Sequence, residues 1–203
     1  IIKNGWVEND DSWYYIKDYQ YLKGGVYMVE GAPYAFDWSG RMVTEIGRNS
    51  MGGDYFYVVD QFGHLAANKW IEDEYDEDRW FYYGADGKAA NDFLKIGSIW
   101  YFFDTDGEWL KDRMVWSDSY QAYYVLSEDG RSHKGITKAG WNDVYGNWYY
   151  AIAEGSDIVP LRQTMRQIDG KWYAFDWEGK MVSDGASDDS IYDPFAEENY
   201  FVV

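Results

Sequence analysis

The sequence predicts an all-β chain, a solenoid of stacked β-hairpins. Three observations predict it. Short aromatic clusters recur along the whole length, from Trp13-Tyr14-Tyr15 to Tyr200-Phe201. Turn glycines follow them at a nearly fixed step, at Gly40, Gly63, Gly87, Gly107, Gly130, Gly155 and Gly179. A longer repeat lies on top: Trp13, Trp80 and Trp148 each open a cluster, at steps of 67 and 68 residues. Self-similarity at a short period is the mark of a repeat array, in which each unit buries its apolar face only by stacking on its neighbours.

The longer repeat divides the chain into cycles 1–67, 68–138 and 139–203, each of three hairpins. In the first, Gly5-Trp6 and Trp13-Tyr14-Tyr15 read as strands, because aromatic residues suit a pleated, half-buried surface. Tyr34-Ala35-Phe36 runs into the turn Asp37-Trp38-Ser39-Gly40, and Tyr55-Phe56-Tyr57 into Asp60-Gln61-Phe62-Gly63. Asp first and Gly fourth is type I turn chemistry, with glycine in the left-handed slot before the return strand. In the second cycle, Lys69-Trp70 and Trp80-Phe81-Tyr82-Tyr83 repeat the opening pattern. Trp100-Tyr101-Phe102-Phe103 precedes Asp104-Thr105-Asp106-Gly107, and Tyr123-Tyr124 precedes Ser127-Glu128-Asp129-Gly130. The third opens with Gly140-Trp141 and Trp148-Tyr149-Tyr150, continues with Trp172-Tyr173-Ala174-Phe175 before Asp176-Trp177-Glu178-Gly179, and stops inside its third hairpin. Three hairpins per superhelical turn and one continuous elongated domain over 1–203 are the expectation.

Composition narrows the function. The chain has 12 Trp, 21 Tyr and 10 Phe but no cysteine, so neither a disulfide framework nor a cysteine metal site is available. With 36 acidic against 18 basic residues, the net charge of −18 repels phosphate backbones and argues against nucleic acid as a partner. That charge keeps an aromatic-rich chain soluble, and would also attract cationic ligands. No apolar run is long enough to span a membrane. The first residue, Ile1, suggests a mature form or an excised fragment.

The chemistry lies in the aromatics. Gly-Trp followed by Trp-Tyr-Tyr occurs at Gly5-Trp6/Trp13 and Gly140-Trp141/Trp148, and in looser form at Lys69-Trp70/Trp80. Two indoles on adjoining strands, with an aromatic from the next hairpin, can form an open box. Its π faces would hold a quaternary ammonium, or its flat faces would stack on sugar rings. The competing reading is that the indoles only fill the joints between hairpins.

These residues carry a family likeness. Gly-Trp, Trp-Tyr-Tyr, and a turn glycine followed by Met, as in Gly40-Arg41-Met42 and Gly179-Lys180-Met181, resemble the Firmicute cell-wall-binding repeats: choline-binding modules with the related glucan-binding and clostridial-toxin repeats. The resemblance spans nearly the whole chain. It implies a left-handed superhelix of hairpins with ligands held between them. It also implies choline-type boxes from Trp6, Trp13 and Tyr34, from Trp70, Trp80 and Tyr101, and from Trp141, Trp148 and Tyr173. The segments Glu72 to Asp78 and Ser156 to Arg166 stand apart as inserts.

Other constellations are weak. Asp104-Thr105-Asp106-Gly107-Glu108 hints at a calcium loop, but its glycine comes fourth, where a hairpin turn puts it and an EF-hand does not. The acidic run from Glu72 reads as a solvated loop. His64 and His133, each just after a turn glycine, read as solvent-facing. No phosphate-cradling loop, nucleophile elbow or paired-histidine motif is present. The sequence therefore predicts no catalytic residues, no cofactor and no metal. It predicts an extracellular attachment module, secreted or on the cell wall, that binds a choline-substituted teichoic acid or a glycan without inserting into a membrane. The alternative is a stalk or adhesin whose aromatics are packing and whose outer face takes a protein partner. A third reading is a glycosidase fragment with its catalytic domain elsewhere.

Overall fold

A computed structural model describes residues 2–182, and Tyr200-Phe201 with the rest of the last expected hairpin lie outside them. The described residues contain no helix and form eight small antiparallel sheets in chain order. Strands β1(Gly5–Asn9), β2(Ser12–Lys17) and β3(Gln20–Tyr21) make the first sheet. The pairs β4(Gly25–Val29) with β5(Ala32–Phe36), β6(Gly47–Met51) with β7(Asp54–Val58), and β8(Lys69–Glu72) with β9(Trp80–Tyr83) follow. Next come the three-stranded sheets β10(Asp92–Ile96), β11(Ile99–Phe103), β12(Trp109–Leu110) and β13(Met114–Ser117), β14(Ala122–Leu126), β15(His133–Gly135). The last are β16(Gly140–Val144), β17(Asn147–Glu154), β18(Asp157–Pro160), and the pair β19(Thr164–Ile168), β20(Lys171–Phe175).

The chain divides into two compact units. The first comprises the residues up to Leu94 together with Phe103–Trp109, and the second Lys95–Phe102 and the residues from Leu110 onward. Each has an aromatic and aliphatic core. In the first, Val26, Ala35, Phe56, Val58 and Leu65 form one buried cluster, and Ala66, Phe81 and Tyr83 another. In the second, Met114, Val125, Ile136, Val144, Tyr149 and Ala151 pack together. Burying one Phe or Val contributes about 1.5–3 kcal/mol, so no single hairpin holds itself.

The Asp-x-x-Gly turns form where the spacing puts them. The amides of Gly40, Gly63, Gly107 and Gly179 each donate to the carbonyl three residues back, at 2.9 to 3.1 Å. The aspartate has its own reason to be there: Asp37 Oδ1 accepts the backbone N–H of Ser39 and Arg41 at 2.7 and 2.9 Å. Asp104 does the same for Asp106 and Glu108, both at 2.9 Å, so its carboxylate caps a turn. Glycine serves twice at Gly87. Its φ of 77° is left-handed, and a Cβ there would stand 2.6 Å from the Cβ of Pro33. A larger residue would push one hairpin off another.

The main hairpin, however, precedes the aromatic cluster. Tight two-residue loops at Asp10-Asp11, Glu30-Gly31, Gly52-Gly53 and Asp169-Gly170 join a first strand to the aromatic one. The Asp-x-x-Gly turn then leads only to a short third strand or bridge, such as Phe36 to Met42. First strands such as Gly47-Arg48-Asn49-Ser50-Met51 have little β propensity of their own. Pairing with an aromatic neighbour makes them strands. Ser156 to Arg166 is likewise no free insert: it holds β18 and the start of β19.

Candidate functional site

Strand register builds the first aromatic group. Trp6 on β1 lies opposite Tyr15 on β2, and Glu8 lies opposite Trp13. Paired residues share a face, and so do residues two apart. One face of this hairpin therefore carries Trp6, Tyr15, Glu8 and Trp13. The next hairpin brings Tyr34 and Phe36 against it. The Trp6 ring lies 6.3 Å from Trp13, 5.2 Å from Tyr15, 4.9 Å from Tyr34 and 5.9 Å from Phe36, the first three edge-on. Met42 clamps the joint by donating its amide to the Trp13 carbonyl at 2.7 Å.

The second unit builds the same object. Trp141 lies opposite Tyr150 and Asp143 opposite Trp148. The Trp141 ring is 6.1 Å from Trp148, 5.1 Å from Tyr150, 4.8 Å from Tyr173 and 6.0 Å from Phe175. Met181 donates its amide to the Trp148 carbonyl, again at 2.7 Å. Across eight ring distances the two groups differ by at most 0.2 Å (6.3 against 6.1 Å).

Within each group the two indoles differ. Trp6 and Trp141 are half-buried at the centre of four rings, whereas Trp13 and Trp148 are 42% and 45% exposed. One indole is a packing hub and its partner an open wall. The carboxylates of Glu8 and Asp143 stand on the same face as the open indole, exposed, with no hydrogen-bond or ion-pair partner among the described residues. An aromatic surface beside a carboxylate without an ion-pair partner suits a ligand that is flat, or apolar and positive.

Trp70 heads the remaining set. It lies opposite Tyr82, and Glu72 opposite Trp80, the same register as in the other two hairpins. Its ring is 5.3 Å from Tyr82, 5.6 Å from Phe103 and 5.5 Å from Trp109. Trp80 is half-buried, and its indole N–H donates to the Glu77 carbonyl at 3.2 Å. Tyr101 falls in the second unit. The sequence argument overlooked Tyr15, Phe36, Tyr150 and Phe175. Their signal was present, since each stands two residues beyond a named wall on the same strand.

The other candidates are structural. Asp73 and Asp76 in the acidic run accept amides of that run, and Arg79 ties it down through Glu108 at 2.8 Å. His64 is exposed as expected, with Nδ1 2.7 Å from Asp60, a contact that holds the Asp60 carboxyl below its usual range. His133 departs from expectation: it lies half-buried in β15, 5.5 Å from the Tyr124 ring, and burial pushes its pKa down. Among the described residues no three His, Asp or Glu side chains are grouped to hold a metal ion, and no helix is long and apolar enough to cross a membrane.

Two segments, residues 4–18 and 91–108, match the family described as "Putative cell wall binding repeat". These two segments are similar to cell-wall-binding repeats. The first matched repeat holds Trp6 and Trp13, and the second holds Tyr101. Curated relatives include Glucosyltransferase-S of Streptococcus mutans, 28% identical over 175 residues that cover 86% of this chain and 11% of the relative. Glucosyltransferase-S of Streptococcus downei is 28% identical over 153 residues, covering 74% and 11%. The chain thus spans about a tenth of the length of these relatives. Similar solved structures include choline binding protein F from Streptococcus pneumoniae, with 23% identity and a TM-score of 0.39 over 89% of this chain and 58% of that one. The choline-binding domain of CbpL from the same organism has 26% identity and a TM-score of 0.38, covering 89% and 87%.

Proposed function

We propose that this chain is a non-catalytic attachment module that binds choline-bearing wall polymers or glycans at the bacterial surface through its aromatic boxes. The observation that carries the reading is the duplicated box: two hairpin joints far apart in sequence build the same arrangement, each with one open indole. Packing alone accounts for Trp6 and Trp141. It does not account for Trp13 and Trp148, whose exposed faces gain nothing from the core. The reading takes 1–203 as one continuous repeat array. It assigns Trp6, Trp13 and Tyr34, and Trp141, Trp148 and Tyr173, to two boxes, and Trp70 and Trp80 to a third aromatic group, with Glu8, Glu72 and Asp143 as acidic neighbours. The length of the glucosyltransferase relatives supports a module carried by a larger protein.

One aromatic contact with a cation is worth roughly 0.5–2 kcal/mol, so one box binds in the millimolar range. Several boxes engaging one polymer raise avidity through effective concentration. The test is intrinsic tryptophan fluorescence during titration with choline chloride, then with purified wall polysaccharide, beside a pull-down on isolated Gram-positive walls. Saturable quenching and retention are expected. A choline response that weakens with salt points to a cationic ligand, and a polysaccharide response indifferent to salt points to a neutral glycan. No retention and no fluorescence change with any of them would refute the reading.

A further inference from the structure

The second unit contains a groove whose lining shares no residue with the boxes. It has a volume of about 690 Å³ and is lined by Asp112, Ser127, Glu128, Asp129, Tyr145 and Asn147, with Val125 and Leu126. It lies between the Ser127–Gly130 turn and the tip of the β16–β17 hairpin.

Tyr145 is unexpected where it stands. It is the first residue of the two-residue loop Tyr145-Gly146, with φ of 53° before 80° at Gly146. A tight hairpin loop with both central residues left-handed favours Asn-Gly or Asp-Gly, and a bulky residue at positive φ is an outlier. Sibling hairpins put Asp10, Glu30, Gly52 and Asp169 at this position. The misfit costs about 1–2 kcal/mol. The Tyr145 side chain is 48% exposed, and it has no ring contact and no hydrogen-bond partner among the described residues. A bulky residue at positive φ whose ring keeps an open face is the kind of outlier that points to a function.

The groove's polar groups complete the argument. Asp129 is occupied by the Ser127 hydroxyl at 2.6 Å, and Asp112 by Lys180 at 3.2 Å. The Glu128 carboxylate and the Asn147 amide have no partner among the described residues. One flat aromatic face beside a free carboxylate and a free amide matches a polyhydroxylated ring: its C–H face stacks, and its hydroxyls donate to the carboxylate and exchange hydrogen bonds with the amide. A quaternary ammonium gains most from aromatic walls on several sides, and Tyr145 is a single wall. Phosphates and uronates are repelled by three carboxylates. We propose that this groove is a second binding site, distinct from the boxes, for a neutral sugar residue that stacks on Tyr145 and hydrogen-bonds to Glu128 and Asn147.

The experiment is an NMR titration of the ¹⁵N-labelled chain with maltotetraose, isomaltotetraose and choline chloride as separate probes. At least one tetrasaccharide should shift the backbone amides of 127–129 and 145 and the side-chain amide of Asn147. Tyr145→Asn supplies the residue the loop favours, so it should keep or raise Tm while weakening that sugar at least tenfold. Glu128→Ala, at an exposed turn position, should weaken it as well and leave the fold intact. The proposal is overturned if neither tetrasaccharide moves these amides, if both variants bind like the wild type, or if choline alone moves them. The indole N–H signals of Trp13 and Trp148 report the boxes in the same spectra, so a silent groove beside responsive boxes sinks this proposal and leaves the attachment function standing.

Discussion

Replacing each indole of one box by alanine separates packing from binding. Trp141 touches Tyr173, Tyr150, Phe175 and Trp148 within 6.1 Å and sits half-buried among them. Truncating a packed Trp costs about 3–5 kcal/mol, through lost transfer energy and the cavity left behind. Half-burial brings Trp141→Ala to about 3 kcal/mol. Trp148 has one ring contact among the described residues, at 6.1 Å, and is 45% exposed. That contact is worth about 0.5–1.5 kcal/mol beyond burial, and little apolar area is re-exposed, so Trp148→Ala should cost about 1–2 kcal/mol. Urea unfolding followed by near-ultraviolet circular dichroism measures both, with an unchanged m-value confirming that only stability moved. At a urea concentration where both variants are folded, Trp148→Ala should have lost most retention on wall polymer. Equal destabilisation by the two substitutions would make Trp148 a core residue and refute the division between hub and wall. So would wild-type retention by Trp148→Ala.

Four further outcomes are expected. Gly87→Ala should destabilise the first unit by about 2–4 kcal/mol in urea unfolding, since a left-handed alanine is strained and its Cβ meets Pro33. Gly53→Ala, also left-handed but with no neighbour within 4 Å, should cost only about 1 kcal/mol, and equal costs would remove the packing role of the turn glycine. Tyr149→Phe should be neutral or stabilise by up to about 2 kcal/mol in thermal unfolding, because that hydroxyl is buried without a partner among the described residues and burial pushes its pKa up. The Asp60 carboxyl, held low chiefly by the His64 ring, should titrate below its usual value of 3.8 by carboxyl NMR, and His64→Ala should raise its midpoint. Because the folded-state pKa is the lower one, this contact stabilises the fold above pH 3.8, and the contribution is lost as pH falls through the depressed value.

Much of this protein could be read locally. Asp37, Asp60, Asp104 and Asp176 mark turns because a short carboxylate caps its own backbone, and the glycine three residues on takes a φ that other residues resist. Such rules act within four residues, so the pattern alone located the turns and the aromatic strands that precede them. Pairing was harder to see. Nothing in Gly47-Arg48-Asn49-Ser50-Met51 announces a strand, because its ladder partner supplies the energy that makes it one. The boxes split the same way. Spacing put Trp6 beside Trp13 and Trp141 beside Trp148, but both members of a pair look alike in sequence. Only the approach of the next hairpin, with Tyr34 and Phe36 or Tyr173 and Phe175, surrounds one indole and leaves the other open. Burial is set by the contacts a residue makes across the fold, so the side chain that packs and the side chain that is free to bind became distinguishable only when the hairpins stacked.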